Sequence, residues 1–338
     1  MTTHPQGDAR DEFAVYVEGL TRAFGETKAL TGLDLVVPPS TVVGLIGPNG
    51  AGKTTAVRIL STLLKPDSGI ARVAGFDVTE NPQAVRERIG LTGQYAAVDE
   101  KLTGRENLEM IAQLTGWNRK GAEARATEML ERFDLVDAGD RPVRTYSGGM
   151  RRRLDLAASL VISPSILFLD EPTTGLDPRS RGQLWDVIRE LVGEGTTLLL
   201  TTQYLEEADA LAESLVIIDN GHNIAEGTPD ELKAMVGGDV IEVVLADPSL
   251  TGRAADLLDG LAEGSILTDP ETGDIAIPIG ELPNAIASAV RILDDAQIRL
   301  VDVRRRRPSL DEVFLTLTGR PAEDESVEEE QATEGVGP

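Results

Sequence analysis

Between Phe13 and about Gly237 the chain alternates short, unbroken apolar runs with segments of helical periodicity. The runs "TVVGLIG" (41–47), "SILFLD" (165–170), "TTLLLTT" (196–202) and "SLVIID" (214–219) lack the apolar-polar alternation of a strand with one wet face. They are predicted to be strands covered on both sides, as in a mainly parallel sheet flanked by helices. Residues 103–162 read differently, because "ENLEMIAQL" and "ATEMLERF" repeat their apolar positions at helical spacing. That block predicts a helical subdomain, about residues 95–162, inserted into the sheet of an α/β domain spanning 13–237.

The pattern changes again after residue 238. "DVIEVVLA" reads as strand, "SLTGRAADLLDGLA" as helix, "GSILTD" and "DIAIPI" as paired strands, "LPNAIASAVRILDD" as helix and "QIRLVDVRR" as strand. This β-α-β-β-α-β order predicts a small ferredoxin-like α+β domain over 238–319. A last amphipathic helix, "PSLDEVFLTLTG", begins at Pro308 with Ser309 as its polar entry and stops at Gly319. The leader 1–12 and the acidic tail 320–338 lack the apolar content to fold and are expected to be disordered.

Bulk composition narrows the function classes. At 338 residues and 41% hydrophobic content the chain can bury a sizeable core in two domains. Its formal charge is −25, of which seven negative charges fall in residues 321–338, so the remainder is acidic too. Such a field repels nucleic acid and anionic lipid, and no nucleic-acid partner is expected. There is no cysteine, hence no disulfide or thiolate metal site, and His4 and His222 lie in a polar leader and a turn-like "DNGHN". The leader does not read as a secretory signal, and no apolar stretch approaches the roughly 20 residues that cross a bilayer. Work at a membrane would need another chain to supply the spans.

"GPNGAGKTT" (47–55) follows an apolar strand and precedes the helical "TAVRILSTLL", the context a phosphate-binding P-loop requires. Gly47, Gly50 and Gly52 let the backbone fold back, so that the N–H groups of a loop that also holds Pro48, Asn49, Ala51 and Thr55 face phosphate oxygens at a helix N-terminus. Lys53 would reach the β- and γ-phosphates of ATP, and the Thr54 hydroxyl would hold Mg2+. Downstream, "SILFLDEPTTGLD" runs a buried strand into Asp170 and Glu171. Carboxylates there are costly unless something positive meets them. Taken alone the pair could be a solvated strand end; beside a P-loop, Asp170 reads as a metal ligand acting through water and Glu171 as the group facing the attacking water.

"YSGGMRRRLDLAASL" (146–160) closely resembles the signature motif of ATP-binding cassette (ABC) ATPases, and residues 13 to about 237 follow that family's motif order. The resemblance makes Gln94 the Q-loop residue, linking the metal site to the helical subdomain. It makes "GLDP" (175–178) the D-loop, with Asp177 against the other subunit, and Phe24 the aromatic that stacks on adenine. Ser147, Gly148 and Gly149 begin a helix and so form a second anion site. The family implies that this site closes on the γ-phosphate held by a partner's P-loop, giving a head-to-tail homodimer around two ATP molecules. Met150 stands where the commonest signature has Gln. Arg151, Arg152 and Arg153 follow, read either as a solvated basic face or as partners of nearby acids close to phosphate. Gln203 occupies the position where most of the family has a histidine that contacts the γ-phosphate and orients water. The amide can donate to phosphate and accept from water but cannot become cationic; alternatively, it caps the next helix.

The signature, "TTQYLEEAD" and the end "RRRPSLDEVFLTLTG" together resemble bacterial drug-export ATPases of the daunorubicin/doxorubicin-resistance type over residues 13–319. That resemblance implies an ATPase at the cytoplasmic side of the cell membrane, driving efflux through a separate permease that selects the compound. A soluble ABC ATPase or a slow nucleotide-sensing switch is the alternative. The ferredoxin-like segment would serve dimerisation or regulation. Arg304 to Arg307 either pair with acids there or form a solvated strand end.

Overall fold

The computed structural model describes residues 12–93, 98–235, 239–279, 282 and 284–319. Gln94, the first eleven residues of the leader and the tail from 320 onward lie outside the described residues. The chain divides into two compact units between Thr228 and Pro229.

The first unit opens with strands β1 (Val15–Phe24) and β2 (Thr27–Val37), followed by β3 (Val42–Ile46), helix α1 (Lys53–Leu60), β4 (Ser68–Val73), β5 (Phe76–Asp77), α2 (Pro82–Arg86) and β6 (Ile89–Thr92). A helical stretch, α3 (Gly104–Leu114), α4 (Arg119–Arg132) and α5 (Gly148–Ser159), precedes β7 (Ile166–Asp170), α6 (Pro178–Gly193), β8 (Thr197–Thr202), α7 (Leu205–Leu211), β9 (Ser214–Asp219) and β10 (His222–Gly227). Helix α3 starts with a capping box in which Thr103 and Glu106 satisfy each other's backbone N–H groups. The three helices pack on one another.

A six-stranded sheet runs β10-β9-β3-β8-β7-β6, parallel except for the β9–β10 hairpin. Every residue of β3, β7 and β8 is buried, which is why those runs carry no polar alternation. A second, antiparallel sheet, β2-β1-β4-β5, is absent from the sequence reading. Its first strand has pairing irregularities between Val17 and Leu20 and again near Arg22, so the two-residue period is lost along the chain. Buried residues of this sheet, among them Val15, Leu20, Leu33 and Val37, join Val57, Ile59 and Leu60 of α1 and Phe168 and Leu199 of the larger sheet in one core. Helix α1 thus lies between two sheets. Parallel pairing brings the ends of β3, β7 and β8 to one edge, with Ile46 opposite Thr202 and Thr201 opposite Asp170.

The second unit begins with α8 (Pro229–Met235), which packs against the last helix. It continues through β11 (Val240–Leu245), α9 (Thr251–Leu258), β12 (Leu267–Asp269), β13 (Asp274–Pro278), α10 (Ala285–Asp295), β14 (Leu300–Arg306) and α11 (Leu310–Thr318). The sheet order is β12-β13-β11-β14, with all neighbours antiparallel. Residues Ile241, Val243, Ile275 and Ile277 of its inner face share a core with Leu258 and Leu293 of the two covering helices. Arg304 pairs with Glu242 at 2.6 Å, Arg305 with Asp239 and Arg307 with Asp230, so the basic run is a set of ion pairs. Arg306 grips Glu312 through both terminal nitrogens, at 2.9 and 3.0 Å.

Ser309 caps α11, and Glu312 returns to the Ser309 N–H in a second capping box. Removing the hydroxyl in Ser309→Ala is expected to cost about 1 kcal/mol, read as a lower urea midpoint at unchanged slope. An unchanged midpoint would show that the cap bond adds nothing to this unit.

Candidate functional site

Strand β3 hands the chain to a loop whose shape requires glycine at two points. A Cβ on Gly47 would lie 2.3 Å from the Ile218 carbonyl oxygen. At Gly52, where φ is 111°, a Cβ would lie 2.5 Å from the Ala29 carbonyl oxygen. Gly52 is the left-handed N-cap of α1 and offers no side-chain acceptor to the first turn, so those N–H groups remain available to an anion. The buried Lys53 side chain arches back across the loop, its ammonium donating to the Gly47 and Pro48 carbonyls at 2.6 and 3.2 Å.

The end of β7 meets this loop from the side. Asp170 is only 4% exposed, and its Oδ1 accepts from the hydroxyls of Thr201 and, at 3.3 Å, Thr54. A carboxylate and a hydroxyl converging from two elements beside a phosphate loop are the hard oxygen donors that suit Mg2+. Glu171 follows in the left-handed region, with φ of 51°, an unfavourable place for a side chain that is not glycine. Both flanking peptides are held, since its N–H donates to the Thr201 carbonyl at 2.9 Å and its carbonyl accepts from Arg152 at 2.6 Å. Glu171 lines one cleft together with Asn49, Gly50, Ala51, Gly52, Lys53, Thr54 and Thr55. Phe24 lines the same cleft, 48% exposed, with the Arg22 guanidinium 5.0 Å from its ring centre.

Other candidate residues stand apart. Ser147 caps α5 by accepting from the Met150 N–H; it and Gly148 are exposed, and neither they nor Gly149 line the Lys53 cleft. Asp177 caps α6, and bonds from the Ser180 hydroxyl and the Ser180 and Arg179 N–H groups hold its carboxyl below the usual range. Gln203 sits half-buried between β8 and α7. It does not cap that helix: the N-cap is Tyr204, without a side-chain bond.

The three arginines after the signature are not a solvated face. Arg151 pairs with Glu100 at 2.7 Å, and Arg153 donates to the Phe133 carbonyl at 3.0 Å. Arg152 turns inward and donates to the carbonyls of Pro172 (2.6 Å), Gly93 (2.8 Å), Asp170 (3.2 Å) and Glu171 (2.6 Å). Burial pulls its guanidinium below its ordinary pKa, opposed by the charges of Asp155, Glu207, Asp170 and Glu171.

Glu207 is a further buried group that the sequence reading passed over. It accepts from the Trp185 indole N–H at 3.2 Å. Burial pushes its carboxyl up, while Thr202, Thr173, Trp185 and Arg181 oppose the shift. Its position was readable, because residues 207, 208 and 211 fall on one face of α7 and Ala208 and Leu211 are buried there.

The ABC transporter family matches residues 30–174. The daunorubicin resistance ATP-binding protein DrrA2 of Streptomyces coeruleorubidus is 56% identical over 319 residues, which cover 94% of this chain and 99% of that protein. The chain belongs to the ABC transporter family. It is similar as well to the daunorubicin/doxorubicin resistance ATP-binding protein DrrA of Streptomyces peucetius, at 50% identity over 96% of this chain and 98% of that one. Among solved structures, a nucleotide-free ATP-binding cassette from an ABC transporter aligns with a TM-score of 0.61 at 27% identity, covering 66% of this chain and 94% of its own. This ABC protein is therefore an ATPase. No helix among its described residues is long and apolar enough to cross a membrane.

The raised Glu207 carboxyl gives the cassette a pH signature. Folded Glu207 holds its proton more tightly than an unfolded chain, whose carboxyl titrates near 4.5. Its contribution is fully present below that value and is lost as pH rises through the folded pKa. Glu207→Gln, which keeps an oxygen for Trp185, should flatten the decline of unfolding free energy above about pH 5. Parallel declines in wild type and variant would mean that Glu207 does not carry it.

Proposed function

We propose that this ABC protein is the ATP-hydrolysing subunit of an exporter, coupling ATP binding and hydrolysis to efflux of a drug-like compound through a separate membrane permease. The observation that carries this reading is the extent of similarity to the resistance ATP-binding proteins, about half identity across both units rather than the cassette alone. The protein then works at the cytoplasmic side of the membrane, attached to the permease. Two copies pair head to tail, so that Ser147, Gly148 and Gly149 of one protomer complete the phosphate site of its partner, with Asp177 at the same junction.

Within one protomer the geometry supports a division of labour. The loop N–H groups and Lys53 neutralise phosphate charge, and Phe24 offers its exposed face to the adenine ring. Thr54 and Asp170 would hold Mg2+, with Gln94, outside the described residues, a third ligand on the family resemblance alone, and the ion would supply neutralisation of phosphate charge. Glu171, aimed into the cleft by its left-handed backbone, polarises the attacking water. Gln203 positions that water without adding positive charge.

General-base groups contribute on the order of 10² to 10⁴ in rate, so Glu171→Gln should lower ATP turnover by that factor while ATP affinity stays within about twofold. Hydrolysis at the wild-type rate would remove Glu171 from the role. Gln203→His is expected to raise turnover by roughly threefold or more at unchanged ATP affinity, because a cation would then face the transition state. A tenfold fall would show instead that the amide is required as such. Both are read from steady-state phosphate release and ATP titration.

A further inference from the structure

The Arg152 side chain is 13% exposed, sits on the signature helix α5, and spends its donors on main-chain carbonyls. Guanidinium has five N–H donors in a fixed plane. Here Nε reaches Pro172, one terminal nitrogen reaches Gly93, and the other is shared by Asp170 and Glu171. Asp155, one turn along α5 and 3% exposed, stands 3.8 Å from the Gly93-bound nitrogen and supplies the counter-charge. One planar group therefore ties α5 to the end of β6, immediately before Gln94, and to the end of β7. A lysine could not do this, since an ammonium has three donors and no fork.

Glu171 gives this clamp its consequence. It lines the Lys53 cleft from a left-handed backbone position, and such a conformation persists only when its surroundings hold it. The N–H side is fixed by Thr201 of β8 within the same sheet. The carbonyl side is fixed by Arg152, from a different element. If that bond is lost, the peptide after Glu171 can rotate toward the favoured right-handed region, and the carboxylate swings with it.

We infer that Arg152 is the positioning residue for Glu171: by holding the carbonyls of residues 170–172 and 93 it fixes the direction of the carboxylate, and it makes that direction depend on where the signature helix sits. This rests on the reading of Glu171 as the water-polarising group. Arg152 itself is not among the residues that line the Lys53 cleft.

The test uses the full-length protein and ATP, with Arg152→Lys and Arg152→Met made in the wild-type and Glu171→Gln backgrounds. Misplacing a reacting group by about 1 Å costs up to 10²-fold, so Arg152→Lys should lower kcat by roughly 10- to 100-fold with KM and ATP affinity within about twofold. Arg152→Met should be at least as severe. In the Glu171→Gln background neither substitution should lower the residual rate further, because the group they position is already gone. Three outcomes overturn the inference: wild-type kcat in Arg152→Lys, an equal loss in both backgrounds, or a loss of ATP affinity matching the loss of kcat. Should the Arg152 variants fail to fold by circular dichroism, Asp155→Asn decides. It keeps the guanidinium but removes its counter-charge, and it must lower kcat at unchanged ATP affinity; an unchanged kcat overturns the inference. If Glu171→Gln alone turns over at the wild-type rate, the assignment of the base fails, and the Arg152 variants in the wild-type background still report separately.

Discussion

Two consecutive carboxylates at the end of a wholly buried strand are the constraint around which the cassette is organised. Asp170 cannot leave the sheet edge, and an unpaired carboxylate there would cost several kcal/mol. The hydroxyls of Thr54 and Thr201 meet it from α1 and β8, and Arg152 covers the backbone behind it. Glu171 escapes the same burial by a reversal of the backbone that carries its side chain into the cleft instead. Adjacent residues of one chemistry thus acquire different environments, one buried and bonded, the other lining the phosphate-loop cleft.

The phosphate loop answers that constraint from the opposite side. Its two indispensable glycines are set by backbone oxygens, of Ile218 in β9 and of Ala29 in β2, so the loop is moulded by both sheets at once. This explains why α1 lies between them. An antiparallel sheet on one side and a parallel sheet on the other leave the helix N-terminus as the exit, facing the ends of β3 and β7. Packing, rather than any single bond, fixes where the N–H groups point.

Elements covered on both faces were legible from sequence because continuous burial leaves an unmistakable record: β3, β7, β8 and β9 coincide with the four apolar runs. The antiparallel sheet was not, since the irregular pairing of β1 removes the alternation by which a half-buried strand is recognised. The phosphate loop, Asp170 and Glu171 were readable as a spacing. Arg152 was not, because "RRR" presents three equal cations and only the helix phase decides that the middle one turns inward. The run of four arginines behaves otherwise: Arg304 to Arg307 lie on and after a strand, so Arg304 and Arg306 share Glu242 on one side while Arg305 meets Asp239, and Arg306 and Arg307 also reach Glu312 and Asp230. The unit boundary shifted from 237 to 228 for a related reason, as α8 belongs with α11 through packing that no local signal announces.

Gln203 ties these observations together. Among the described residues that line the phosphate cleft Lys53 is the one cation, while Arg22 stacks on Phe24 and pairs with Asp67 at 2.6 Å. The buried Arg152 spends its charge on neutral carbonyls and on Asp155 rather than on the cleft. An amide at 203 adds none, in a chain whose net charge of −25 already opposes an anionic substrate. On the roles proposed above, the reaction then leans on geometry, on N–H groups held by glycine turns and on one carboxylate at a left-handed residue. A site of that kind tolerates the loss of an imidazole better than the loss of alignment, because preorganised dipoles need no reorganisation when charge shifts, whereas a misdirected base has no substitute. On the roles proposed above the signature helix matters twice, once for the anion site at its N-terminus and once for the arginine on its second turn that bonds the neighbouring Glu171 carbonyl.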